Sequence, residues 1–260
     1  MQRNASAEIA PLTRTFKAGP PARARPERSR MSHPARTACA LGVVGALSVS
    51  LSLLLLAVWL YPGGSARDPH SPGFDLWRNY LCDLLHRTSL SGQPNPAAGL
   101  ARASLLLFAA GLVPFFHLLA SLLPPAGSRL GGGALRWSGT LSALGWMALA
   151  FTPSDRFPLG HSLFVLAGIV PAVVAGALAV HGLWARRRTR GLALLAGCAL
   201  LFAAADAGTY LLLLLSGRPS LAVIVPTLQR LAGLFLIACM LGVALTVLRR
   251  PWRQRSRARG

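Results

Sequence analysis

The chain predicts an all-α fold: a bundle of six membrane-spanning helices with one short amphipathic helix in the first outer loop. Three observations carry that expectation. Six apolar stretches, at about 38–61, 97–123, 135–152, 160–183, 191–215 and 221–248, come near the ~20 residues a helix needs to cross a ~30 Å hydrocarbon layer. Most links between them are short, which sets consecutive helices side by side as antiparallel neighbours. The basic residues are also sorted: if the chain starts inside, inner segments hold 20 of the 27. The inverted arrangement would break the positive-inside rule at every inner loop, so both termini are expected on the cytoplasmic side.

Composition narrows the class. With 260 residues and 53% hydrophobic content, little chain is left for a soluble domain once six spans are assigned. In a soluble protein a net charge of +20 would point to nucleic acid. Here the arginines cluster at span ends, where they meet anionic inner-leaflet lipid. Few aromatics lie among the tail arginines to stack on bases. Membrane lipids are therefore the expected partners, nucleic acid is not, and no protein partner is specified. The dominance of Ala, Leu, Arg and Gly, with Lys17 the only lysine, reads as a GC-rich bacterial genome, so the expected location is a bacterial inner membrane.

Residues 1–37 are rich in Arg, Pro, Ala and Ser without an apolar period and are expected to be a disordered basic tail. Met31 is an alternative start, which would leave 1–30 untranslated. The first span could be a cleaved signal peptide, with Gly64-Ser65-Ala66 as a small-residue cleavage site. Its apolar run far exceeds the usual 7–15 residues of such a segment. Trp59 and Tyr61 at its outer end also suit interfacial anchors, so a retained helix is expected.

In the long outer loop, Phe74, Trp77, Leu81, Leu84 and Leu85 recur at helical spacing, opposite Asp75, Arg78, Asn79, Cys82, Asp83 and His86. An amphipathic helix over 74–86 follows, either lying on the membrane surface or packed over the bundle mouth. Pro114 and Pro171 inside spans two and four should kink them. Small-xxx-small pairs, among them Gly42/Ala46, Gly139/Ala143 and Gly168/Ala172, permit close helix approach in lipid. The fourth and fifth spans flank a basic inner loop at 185–190. The region 38–248 is thus the membrane domain, and 249–260 a second basic cytoplasmic tail.

Of four cysteines, Cys39, Cys198 and Cys239 lie in apolar spans and only Cys82 in an outer loop, so no disulfide framework is indicated. The remaining polar residues converge on the outer side. Asp83 and His86 are in the first loop, Asp155 in the second, and His161 opens span four. Asp206 and Tyr210 lie in the outer half of span five, Gln229 and Arg230 begin span six, and Arg102 begins span two. Together they make a candidate outward-facing polar pocket, with Asp83 and His86 as a lid. The bland alternative is a solvated surface helix together with a structural Asp–Arg pair between helices. Asp206 carries the sharpest argument. A lone carboxylate in an apolar span costs ~2.5–3.5 kcal/mol on insertion scales, so it should face the interior and meet Arg230, Arg102 or Tyr210. His117 and His181 read as packed or interfacial neutral histidines, and His33 and His70 carry little information.

The stretches Asn79-Tyr80-Leu81-Cys82-Asp83-Leu84 and Gly92-Gln93-Pro94-Asn95-Pro96-Ala97, with Asp155 to His161 at the head of a span, resemble an uncharacterised group of bacterial membrane proteins, domain of unknown function 998. That group is similar in build to the Frag1/DRAM/Sfk1 membrane proteins. The resemblance covers about 38–248 and implies the multi-pass topology, with no activity attached.

Two function classes lead. One is a non-enzymatic sensor, assembly factor or lipid-associated accessory protein, which needs no catalytic constellation and no cofactor. The alternative is a membrane-embedded lipid hydrolase holding zinc on His86, His161, Asp83 and Asp155, whose ligand types suit that metal. It resembles the logic of the alkaline ceramidase and adiponectin-receptor superfamily, but those proteins carry an HxxxH on a late helix and this chain has no histidine after His181. A small-solute transporter is the third reading, weakened by the lack of internal repeats.

Overall fold

A computed structural model describes residues 31–123, 129–217 and 223–249. Among them the chain is all-α, with no strand beyond the isolated bridges Gly63–Pro72 and Thr88–Pro94. The tails at 1–30 and 250–260 and the loop residues 124–128 and 218–222 lie outside the described residues. Six α-helices follow in order: α1 His33–Leu60, α2 Ala98–Leu122, α3 Arg129–Leu149, α4 Pro158–Trp184, α5 Arg190–Ser216 and α6 Val225–Leu248. All except α3 are long and apolar enough to cross a membrane. The 21-residue α3 is long enough, at about 31 Å, but Gly131-Gly132-Gly133, Arg136, Ser138 and Thr140 dilute its apolar content.

The first helix begins five residues before the expected 38, taking up part of the stretch read as disordered. Local chemistry explains it. The Ser32 hydroxyl accepts from the Ala35 amide at 3.4 Å, and Pro34 sits in the first turn, where its missing N–H costs nothing. Pro114 and Pro171 do lie inside α2 and α4. One turn on, the partly buried His117 meets the Val113 carbonyl with Nδ1 at 2.9 Å.

Each helix packs on its sequence neighbours, and α6 closes the circle by packing on α1. The result is a ring in chain order, with α2 its most enclosed member. In an apolar solvent such packing is held by van der Waals contact and close backbone approach rather than by hydrophobic expulsion. The tightest crossing is between α3 and α4, where a Cβ on Gly145 would sit 2.5 Å from the Gly168 amide nitrogen. Of the small pairs expected at interfaces, Gly139 and Gly168 press on the rings of Phe116 and Trp146, whereas Gly42 has nothing within 4 Å. At the arginine-rich end, Arg186 Nη1 donates to the Leu122 carbonyl at 3.4 Å, fastening the α4–α5 link to the last turn of α2.

The opposite end is closed by residues 61–97, and here the expected amphipathic helix over 74–86 is absent. Asp75 Oδ1 accepts from the amides of Trp77 (2.8 Å) and Arg78 (3.2 Å), and Asn79 Oδ1 accepts from the Asp75 amide at 3.0 Å. These side chains satisfy the backbone in a turn and so outcompete the helix their neighbours' spacing implied. Only a short 3₁₀ helix forms, at Leu81–Leu85. Trp77, expected on the apolar face, is 66% exposed.

Candidate functional site

The cap is a polar construction that holds apolar side chains inward. Asn79 is fully buried; its Nδ2 donates to the Gly64 carbonyl (2.8 Å) and to Asp83 Oδ2 (3.2 Å). Asp83 in turn accepts from the Tyr80 amide at 2.8 Å, capping the first turn of the 3₁₀ helix. Asn95 Nδ2 bridges the carbonyls of Leu84 (3.2 Å) and His86 (2.8 Å), and its Oδ1 accepts from Ala97 N at 3.0 Å just before α2. Leu84 and Leu85 are thereby pinned inward, packed with Ala57, Tyr61 and Ala101.

Helix α6 clasps this cap from beneath. Gln229 Oε1 accepts from the Leu81 amide at 3.1 Å, and Arg230 Nη2 donates to the Asn79 carbonyl at 2.6 Å. Arg230 Nη1 bonds the Pro226 carbonyl, and the guanidinium stands 5.9 Å over the Phe74 ring. Phe74 itself meets Tyr61 edge-on, with centroids 5.5 Å apart.

A second seam joins the cap to the α3–α4 turn. His86 Nε2 and Ser154 Oγ are 2.7 Å apart, Arg87 N donates to Asp155 Oδ2 at 3.3 Å, and His161 Nδ1 meets the Thr152 carbonyl at 2.8 Å. Arg102 lies apart, with Nη2 toward the Leu85 carbonyl at 3.4 Å, on a surface recess it shares with Arg87 and Asn95.

The nine residues expected in one outward pocket are therefore divided. Asp83, Gln229 and Arg230 make the clasp, while His86, Asp155 and His161 make the seam. Arg102 faces a surface recess. Only Asp206 and Gln229 reach the interior cavity, with Tyr210 half-buried one turn from Asp206. The expected contact of Asp206 with Arg230, Arg102 or Tyr210 does not form. Asp206 Oδ1 is buried without a hydrogen-bond partner. Each arginine instead turns a terminal nitrogen to a cap carbonyl, Arg230 to Asn79 and Arg102 to Leu85, while the Nε of both is buried without a partner. Of the atoms proposed for zinc, His86 Nε2, His161 Nδ1 and one oxygen each of Asp83 and Asp155 face protein partners. Among the described residues no three His, Cys, Asp or Glu side chains are grouped to hold a metal ion.

Burial sets the electrostatics of the cap. It pushes the Asp83 carboxyl above its usual range, against the Tyr80 and Asn79 hydrogen bonds and the nearby His86 and Arg230 charges that pull it down. Burial, followed by the charges of Asp83 and Asp206, raises the Cys82 thiol to about 12. The Tyr80 phenol is raised to about 12 by burial, then by the neighbouring Asp83, Tyr210 and Asp206. The Cys82 thiol and the Tyr80 phenol stay protonated near neutrality, and a thiol so held is a poor nucleophile.

Beneath the cap, the ring of helices encloses a cavity of about 310 Å³ that touches all six. Its roof is Leu81, Cys82, Leu84 and Leu85 of the 3₁₀ helix, and its floor includes Leu119, Ala179 and Cys239. Along α2 it runs from Ala101 to Leu119, about 27 Å of helix. The wall is apolar except for Ser50, Ser104, Ser142, Asp206, Gln229, the Cys82 and Cys239 thiols and the Trp146 indole. Small residues such as Ala172, Gly176 and Ala203 make the room, and the sequence offered Ala172 only as half of a packing pair with Gly168. The neutral staples Asn79, Asn95 and Ser154 were also missed; an Asn-Pro step before an apolar run was the one signal available, at Asn95.

In comparisons with protein-family models, curated proteins and solved structures, nothing matches this chain.

Proposed function

We propose that the chain is a non-enzymatic, lipid-associated accessory protein of a bacterial inner membrane, holding a lipophilic molecule between its helices. The observation that carries this reading is the capped apolar cavity at the centre of the ring. Close-packed interiors leave few voids larger than a water molecule, so one of this size and lining marks a place for a ligand. The sorted arginines support a cytoplasmic location for the arginine-rich end and an outer location for the cap. We propose all six helices as spans, α3 included, and kinship with the domain of unknown function 998 group on the Asn79–Leu84 and Gly92–Ala97 stretches.

The test is extraction of bound lipid from the purified full-length protein in neutral detergent, read by native mass spectrometry. Wild type should carry a stoichiometric amphiphile. Ala203→Phe and Ala172→Phe, which fill the cavity from the adjacent helices α5 and α4, should lose it while remaining folded. Equal retention in the filled variants would overturn the reading.

A further inference from the structure

We propose that the occupant of this cavity is a single-chain amphiphile whose head carries an amine or similar cationic hydrogen-bond donor, seated on Asp206. This rests on the reading of the cavity as a lipid site. Three observations specify the ligand further.

The cavity is polar at one end only. Ser104 lies six residues, about 9 Å, into α2 from the cap, and Ser142 seven residues, about 10 Å, from the cap end of α3. Gln229 is four residues into α6, and Asp206 ten residues from the end of α5. Beyond these the lining is hydrocarbon, with Cys239 the exception among side chains such as Phe115, Leu119, Ala179 and Ala196. A head near the cap and a tail toward the arginine-rich end match that division.

The polar valences left for a ligand are few. Ser50 and Ser104 satisfy one another, each hydroxyl donating to the other's carbonyl at 2.8 Å. Ser142 Oγ, however, is buried without a partner, as is Asp206 Oδ1. Gln229 uses its oxygen on the cap and has its amide nitrogen to spare. Among the described residues, Asp206 is the only Asp, Glu, Lys, Arg or His on the cavity wall. An ionised carboxylate in such surroundings is costly unless a counter-charge meets it. The chain's own candidates, Arg230 and Arg102, reach cap carbonyls, are not among the residues lining the cavity, and make no ion pair with Asp206. A cationic head on the ligand supplies what the protein withholds, with Ser142 and Gln229 as neutral partners.

Size selects the chain. At about 310 Å³ the cavity is at the small end for ligand sites, with room for one chain and a compact head rather than a diacyl lipid. Asp206 and Ala196 stand ten residues apart on α5, about 15 Å, the reach of a medium-length alkyl chain.

Three probes of one chain length, tetradecylamine, tetradecanol and myristate, separate the two readings when titrated onto full-length protein depleted of lipid in neutral maltoside. Wild type should bind the amine about tenfold or more tightly than the alcohol, the effect of one charge-assisted hydrogen bond, and the acid least. Asp206→Asn should lose the preference while still binding the alcohol, and Asp206→Glu should retain part of it. If all three bind alike, in wild type as in Asp206→Asn, the head assignment is wrong and the cavity reading survives. If none binds wild type, the cavity reading falls and takes this one with it. The wild-type comparison alone decides the matter should Asp206→Asn prove unstable.

Discussion

Asn95 holds the cap at three points, because one amide group serves two carbonyls and a helix start at once. Replacing it by alanine leaves the Leu84 and His86 carbonyls without that donor. The expected cost is about 1–3 kcal/mol, read as a lower thermal midpoint in detergent. Asn95→Asp keeps the shape but turns an acceptor on those carbonyls, so it should do no better. The Asp83 carboxyl makes a pH prediction whose sign follows from burial. Its ionisation is harder in the folded cap than in the open chain, so the folded pKa lies above the unfolded one. Stability is then greatest below the unfolded carboxylate value of ~3.9 and declines as pH rises through the folded value. Melting wild type from pH 4 to 8 should show that decline, and Asp83→Asn should flatten it. Cys82, raised to about 12, should resist N-ethylmaleimide at pH 8 until the protein is denatured. Rapid labelling of the folded protein would mean that the cap opens or is built otherwise.

At the level of elements, the helices were legible because each needs only length and apolarity, and α1, α2, α4, α5 and α6 announce both. The misread element is instructive. Phe74, Trp77, Leu81 and Leu84 have helical spacing, yet Asp75 and Asn79 sit where their short side chains cap a turn, and local hydrogen bonding won. Asp206 lines the cavity, and the desolvation cost that argued for such a place is a property of one residue. Arg230 and Arg102 donate to backbone carbonyls of a loop distant in sequence, and such acceptors carry no sequence signal. The α3–α4 crossing makes a prediction at this scale. Gly145→Leu places a side chain where the Ala167–Gly168 backbone already lies, so the two helices must part. Overpacking of this kind costs about 1–3 kcal/mol, occasionally more. Gly42→Leu, with open space around it, should change the midpoint little, and equal losses for both would contradict the close crossing.

For the whole molecule the question is whether α3 crosses the membrane, since composition alone leaves it below its five neighbours. The cap answers by connection. It touches the start of α2 through Asn95 and Ala97, the α3–α4 turn through His86 and Ser154, and the start of α6 through Gln229. Helix α2 therefore leaves the cap and α3 must return to it, whatever its hydropathy. Its polar residues are tolerable because the ring shelters some of them: Ser142 is buried and Gly139 and Gly145 are covered by α2 and α4. If the neighbours cross, α3 crosses with them, and the two ends of the ring lie on opposite faces. Single cysteines at Ala66, Arg129, Asp155 and Arg187, in a chain otherwise freed of cysteine, provide the measurement. In intact spheroplasts an impermeant maleimide should label positions 66 and 155 and spare 129 and 187 until the membrane is lysed. Labelling of 129 together with 155 would mean that α3 does not cross. The ring, its central cavity and the ligand reading built on it would then fail together.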